Sequence, residues 1–132
     1  MRRVWSLLLP LLAAGGLEAA DWPQLQGNPQ RTGYTNDSPR PPYGIAWSHN
    51  FANDEEKVYA QCQPVVYRDR VYVGTKMGSL YCFGARDGKV LWKWKQAAGP
   101  ILNTAACAAN LVVFSSLDGC VPDAVYRLSY EF

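Results

Sequence analysis

Apolar and polar positions alternate in short bursts between residues 64 and 95. Pro64–Thr75 reads P-V-V-Y-R-D-R-V-Y-V-G-T, two β-branched or aromatic runs split by Arg68-Asp69-Arg70. Gly78–Trp92 reads G-S-L-Y-C-F-G-A-R-D-G-K-V-L-W, two further runs split by Asp87-Gly88 and closed by a Trp. The pattern predicts four short strands in roughly 30 residues, each bounded by turn residues. Asp87-Gly88 predicts a two-residue hairpin turn, because glycine takes positive φ without steric cost. Val71, Val73, Leu80 and Phe83 supply apolar bulk for faces that pack against neighbouring sheets. Gly74 and Gly78 fall where strands bend or backbones approach closely.

The pattern recurs along the chain. Shifted by 41 positions, Asp69–Thr75 lands on Asn110–Ser116, Gly78 on Gly119 and Leu80 on Val121. A second echo sets Gly44-Ile45-Ala46-Trp47-Ser48 on Lys89-Val90-Leu91-Trp92-Lys93, with the two Trp 45 apart. A β-rich period of about 40 residues is that of β-propeller blades. The expected fold is therefore all-β, built of four-stranded antiparallel blades, with about one and a half to two blades present in an incomplete propeller. The divisions read as a last strand over 43–51, a full blade over 61–95 and a partial blade over 100–121. A small unrelated β-domain is the alternative. Trp47 and Trp92 are read as structural, each lying flat on a neighbouring blade with its indole N–H seeking a backbone acceptor.

At these residues the chain resembles the pyrroloquinoline-quinone-type (PQQ-like) propeller repeat, G-x-L-Y-A-L-D-A-x-T-G-K-x-L-W. Gly78, Leu80, Tyr81, Ala85, Gly88, Lys89, Leu91 and Trp92 match it. Cys82, Phe83, Gly84 and Asp87 depart from it. The lead-in segment 21–42, with Asp21-Trp22-Pro23-Gln24 and Gly27–Tyr34, is similar to that of exported bacterial members. The motif positions singled out are Trp47, Gly74, Gly78, Tyr81, Asp87, Gly88, Trp92 and Gly119. The resemblance bears on fold far more than on function, because one fold serves enzymes and scaffolds alike.

Composition adds limits. The chain has 132 residues, 48% apolar and 13% aromatic, with a net charge of +2. That is a packed protein, and no long basic or acidic run points to nucleic acid. Residues 1–20 read as a signal peptide: Arg2-Arg3, an apolar run over 4–12, then small residues ending at Ala19-Ala20. The run is too short for a confident membrane span, and an uncleaved anchor is the alternative. Export to the periplasm or medium is expected. A lipoprotein is not, since no Cys closes the apolar run.

Candidate chemistry is sparse. Cys62, Cys82, Cys107 and Cys120 form no C-x-x-C. Disulfides are permitted by export, three pairings are open, and Cys82 reads as a small buried residue in place of the repeat's Ala. His49, the single His, is expected at the surface. Asp54-Glu55-Glu56 reads as an exposed charged loop, with a calcium cluster as the alternative. Lys93-Trp94-Lys95 reads as the solvated face of an outer strand. After Gly119 the pattern is expected to be lost, with Pro122 interrupting a strand and 122–132 forming a divergent tail. A truncated or frameshifted longer gene would explain the loss, and a capping strand over Val125–Phe132 is the alternative.

The resulting expectation is a non-catalytic scaffold in the cell envelope, with no detectable cofactor. Its partners would be other propeller blades, from the same protein or other copies, and envelope proteins. The alternative is the N-terminal part of a PQQ-dependent dehydrogenase, whose fold uses the quinone, calcium, a catalytic Asp and adjacent paired cysteines. No adjacent Cys pair occurs here.

Overall fold

The first strands are β-branched and aromatic runs turned back by a tight two-residue loop. In the computed structural model, which describes residues 20–118 and 124–129, β1 (Val65–Tyr67) and β2 (Arg70–Gly74) pair in register Val65↔Tyr72, Val66↔Val71 and Tyr67↔Arg70. Between them, Arg68 and Asp69 both hold positive φ, 48° and 57°. That is the primed-turn geometry whose twist matches the flanking strands. Asp21 Oδ1 accepts from the Arg68 N–H at 2.8 Å and the Asp69 carbonyl accepts from the Ala85 N–H at 2.9 Å, so neighbours on both sides hold the turn.

β3 (Ser79–Gly84) and β4 (Val90–Lys95) complete a four-stranded antiparallel sheet in the order β1-β2-β3-β4. The two-residue Asp87-Gly88 turn expected between them is not formed. Four residues, Ala85–Gly88, lie between the bonded residues Gly84 and Lys89: Gly84 N–H donates to the Lys89 carbonyl and Gly88 N–H to the Gly84 carbonyl, both at 2.9 Å. A type I′ turn at Asp87-Gly88 needs both residues left-handed, and a type II′ turn needs the first, whereas only Gly88, the second, is left-handed here, at φ 66°. Asp87 instead accepts from the Lys89 N–H at 3.1 Å.

A second antiparallel sheet follows, of β5 (Ala106–Ala108), β6 (Leu111–Ser116) and β7 (Ala124–Ser129) in that order. The pairs Ala106↔Val113, Cys107↔Val112 and Ala108↔Leu111 reproduce those of β1 and β2, each displaced by 41 residues. Beyond that hairpin the displacement grows. Gly74 pairs with Leu80, whereas its counterpart Ser115 pairs with Val125, not with Val121. Four residues are inserted, and Val125-Tyr126-Arg127-Leu128 stands where Leu80-Tyr81-Cys82-Phe83 stands in the first sheet. The pattern loss expected after Val121 is thus a shift of register, and the stretch read as a divergent tail carries β7.

Another expectation fails at 43–51. Residues 42–50 join no ladder and Phe51–Asp54 form a single 3-10 turn. A strand needs a partner, and this segment meets the first sheet by its face, not by an edge. The lead-in 21–42 does pair: Trp22 and Val66 exchange backbone bonds of 2.7 and 2.9 Å, and the Pro23 carbonyl accepts from the Cys107 N–H at 2.7 Å. It therefore ties both sheets together at their first strands.

The core lies between the sheets. Val65, Tyr72, Leu80 and Cys82 of the first pack with Cys107, Val112 and Phe114 of the second, and with Cys62, Ile101 and Ala105 from the connections. Trp94 meets Phe114 edge-on with centroids 5.1 Å apart. The first sheet's other face, Val71, Val73, Tyr81 and Phe83, is covered by Trp47 and Phe51. No helix among the described residues is long and apolar enough to cross a membrane. The leader expected over 1–20 lies almost wholly outside the described residues.

Candidate functional site

Two sheet faces distinguish this chain, one capped by a strap and one open. The strap is residues 47–56. Trp47 donates its indole N–H to the Ala85 carbonyl at 2.8 Å and stacks on Phe83, centroids 5.7 Å apart. A Cβ on Gly88 would run into the Trp47 ring, so this glycine is required twice, for its φ and for the indole above it. Phe51 meets Tyr81 and Phe83 edge-on at 5.2 and 6.0 Å. Asn50 caps the 3-10 turn by accepting from the Ala52 N–H at 3.1 Å.

Polar groups then fasten the strap. Glu56 is only 2% exposed, against the exposed loop expected for Asp54-Glu55-Glu56. Its two oxygens accept from the hydroxyls of Thr75 and Ser79, each at 2.6 Å, and one lies 2.9 Å from Lys93 Nζ. Burial pushes the Glu56 carboxyl up, but the two hydroxyls and the Lys93 ammonium outweigh it, and the net direction is down. Lys93 is moved up by hydrogen bonding to Tyr81 and by Glu56. Its ammonium sits 4.8 Å from the Tyr81 ring centroid, so this lysine is a clasp and not only part of a solvated face. Tyr81 in turn donates its hydroxyl to Asp54 Oδ2 at 3.1 Å, and His49 Nε2 lies 3.0 Å from the same oxygen. The Tyr81 and His49 bonds hold the Asp54 carboxyl below its ordinary range. His49 also packs between Phe51 and Phe83, at 4.7 and 4.9 Å, and so is part of the strap's contact face.

The sequence reading missed this network because its members are scattered over the strap, β3, β4 and the turn before β3. The available signal was Thr75 and Ser79 flanking the turn at Gly78, with Lys93 opposite Tyr81. Of the motif positions, Gly74 packs under Ile101 and Cys62 with no room for a Cβ. Gly78 has φ 80° and faces the carbonyls of Ala97 and Gly99, which a Cβ would meet at 2.6 and 2.8 Å. Asp87 pairs with Lys89 at 3.2 Å. Trp92 packs on Tyr72 with centroids 5.8 Å apart. The structure thus gathers Trp47, Tyr81 and Gly88 at the strap and leaves Gly74 and Trp92 on the core side. Gly119 lies outside the described residues.

The open face belongs to the second sheet. Val65 and Tyr72, which face the second sheet, are 0% and 1% exposed. Their counterparts 41 residues on are Ala106 and Val113, and both are exposed, Val113 at 36%. Val71 and Val73 lie under the strap, and their counterparts Val112 and Phe114 lie under the first sheet. Each repeat is therefore covered on the same side by what precedes it.

The thiols of Cys62, Cys82 and Cys107 are free and buried in the shared core, as the small-residue reading of Cys82 expects. Burial pushes Cys82 up to about 11 and Cys107 up to about 12, which leaves them inert as nucleophiles. The quinone and calcium of the alternative reading need several acidic and amide donors converging on one point. Among the described residues no three His, Cys, Asp or Glu converge, and Asp54 and Glu56 serve separate partners. No family model matches the chain, and no curated protein matches it.

Proposed function

We propose that this chain is an exported PQQ-like propeller-repeat module that works as a protein-interaction scaffold, not as a catalyst. One observation carries the reading. The repeat operator that maps Val65 and Tyr72 onto Ala106 and Val113 maps a covered face onto an open one. Among the described residues the second sheet buries only one side, and such a unit is made to receive a further one. The partner that fits is another blade of the same kind, presenting the small apolar face that Val112 and Phe114 present to the first sheet. Such a blade would come from the same protein, another copy or an envelope protein. The Trp47 contact across the Ala85–Gly88 loop supports the propeller reading, since a closing Trp laid on the next repeat is what the resemblance implies.

A photocrosslinking residue at position 113, in cells expressing the chain, tests this. Met77, exposed on the turn before β3, serves as the control position. The expected result is an adduct from position 113, absent from position 77, whose partner peptides are strand segments of a similar repeat. Equal labelling from both positions, or no adduct from 113, would overturn the reading.

A further inference from the structure

Beyond the docking role, and independent of it, lies a cleft that the repeat leaves unexplained. It occupies about 400 Å³ where the lead-in segment crosses the connections that enter β1 and β5. Its polar lining comprises Arg31, Gln24, Gln61, Asn103 and Thr104, with Leu25 as an apolar wall and no acidic residue. The volume suits a small ligand or a few residues of peptide.

The loop carrying Arg31 is built firmly. Trp22 is fixed to β1 and its ring packs on Gly27, where a Cβ would sit 2.9 Å away. Gln26 accepts from the Gly33 N–H at 3.0 Å and Asn28 from the Arg31 N–H at 2.9 Å. Asn28 and Thr32 exchange two further bonds of 2.6 and 3.1 Å. Arg31 itself holds φ 54°, a left-handed conformation that a side chain adopts at a cost of about 1–2 kcal/mol. Three ion pairs elsewhere join charged groups of the strap, the turns and β4: Glu56 with Lys93, Asp69 with Arg86, Asp87 with Lys89. The side chains of Arg31, Gln24 and Gln61 make no such bond among the described residues. Asn103 and Thr104 are anchored instead, through Ser115 and the Gln61 carbonyl, and so shape a fixed wall.

We propose that this cleft binds a carboxylate, held by the Arg31 guanidinium and oriented by the carboxamides of Gln24, Gln61 and Asn103. A planar guanidinium matches a carboxylate through two parallel hydrogen bonds. One cation among neutral amides balances a single negative charge, which favours a carboxylate over a doubly charged phosphate. Carboxamides supply both donors and acceptors, so the body of the ligand is polar, as in a peptide end or a small hydroxy or amino acid.

The test uses the full chain labelled with nitrogen-15. Tri-alanine with a free C-terminus, its C-terminal amide, acetate and inorganic phosphate are each titrated to roughly millimolar concentration, the weak-binding range. Expected are shifts of the Arg31, Gln24, Gln61 and Asn103 resonances with free tri-alanine and none with the amide. Equal shifts with acetate identify a small free acid as sufficient, and weaker ones identify a peptide end; both support the carboxylate site. Arg31→Gly separates binding from folding, since glycine suits φ 54°. It should weaken binding at least about tenfold while the melting temperature holds or rises. Failure of every carboxylate probe, a preference for phosphate, or unchanged binding in R31G would overturn the proposal. None of these outcomes bears on crosslinking at position 113, so the two readings fail separately.

Discussion

Trp47 donates its indole N–H to the Ala85 carbonyl at 2.8 Å while its ring closes over Gly88, 41 positions further along the chain. This contact locks the start of the strap onto the β3–β4 loop. Gly88→Ala is expected to destabilise by at least about 2 kcal/mol, from the left-handed φ and the clash with the ring together. Trp47→Ala should cost about 2–4 kcal/mol, from lost area and an orphaned carbonyl. In the double variant the ring no longer opposes the new Cβ, so the combined loss should be smaller than the sum of the two. Urea unfolding of the four proteins measures that coupling.

The internal repeat makes positions 41 residues apart chemically alike but energetically opposite. Tyr72 is buried between the sheets, while Val113 occupies the same register on the open face. Tyr72→Ala should cost about 3 kcal/mol or more, and Val113→Ala within about 0.5 kcal/mol in the isolated chain. Equal costs, read from denaturation midpoints, would mean that something covers the second sheet.

Short β-branched and aromatic runs bounded by turn residues made the first sheet legible, and Val71, Tyr72 and Val73 form a continuous apolar run that the fold buries on both faces. The 41-residue echo also reached the second sheet, down to its pairing register. It failed at β7, since an insertion of four residues moves every later match and Pro122 masks the resumption at Val125-Tyr126-Arg127-Leu128. Residues 43–51 read as a strand because Gly44-Ile45-Ala46-Trp47-Ser48 echoes Lys89-Val90-Leu91-Trp92-Lys93 at the start of β4. Trp47, His49 and Phe51 lie across the first sheet's face while Ile45 is exposed, and sequence similarity does not distinguish a face contact from a paired edge. The strap's polar fastening was hidden for a different reason. Glu56 looks like one of three loop acids, and only the fold brings Thr75, Ser79 and Lys93 around it.

The core thiols give a prediction about reactivity. Cys62, Cys82 and Cys107 are buried, and burial raises all three thiols above their ordinary range. A Cys120→Ser variant, with that fourth cysteine removed, should show almost no alkylation by iodoacetamide at neutral pH until denaturant is added. Labelling should then appear at all three sites in a single step, because they share one core and open with it. Independent labelling of Cys82 in the absence of denaturant would show that the sheets separate locally.

Strap attachment should depend on pH at both ends of the scale. The folded Glu56 carboxyl lies below its ordinary value, so it binds protons less readily than in the unfolded chain. Its contribution is complete above the unfolded glutamate pKa of about 4.3 and is lost as pH falls through the lower folded value. Lys93 is displaced upward, so its contribution is complete below about 10.4 and is lost as pH rises through the folded value. A plateau in stability is therefore expected between these limits. Glu56→Gln keeps the shape but leaves the Lys93 ammonium without its counter-charge, and should cost about 1–2 kcal/mol on that plateau. Lys93 is about one-third exposed, which holds the loss below that of a fully buried pair. The acid limb attributable to Glu56 should vanish in the variant, leaving the share of Asp54, which is also displaced downward. Tryptophan fluorescence in urea, followed from pH about 3 to 8, reads this directly, because Trp47 sits on the strap. An acid limb unchanged by Glu56→Gln would assign the strap's pH dependence to Asp54 and remove Glu56 from its fastening.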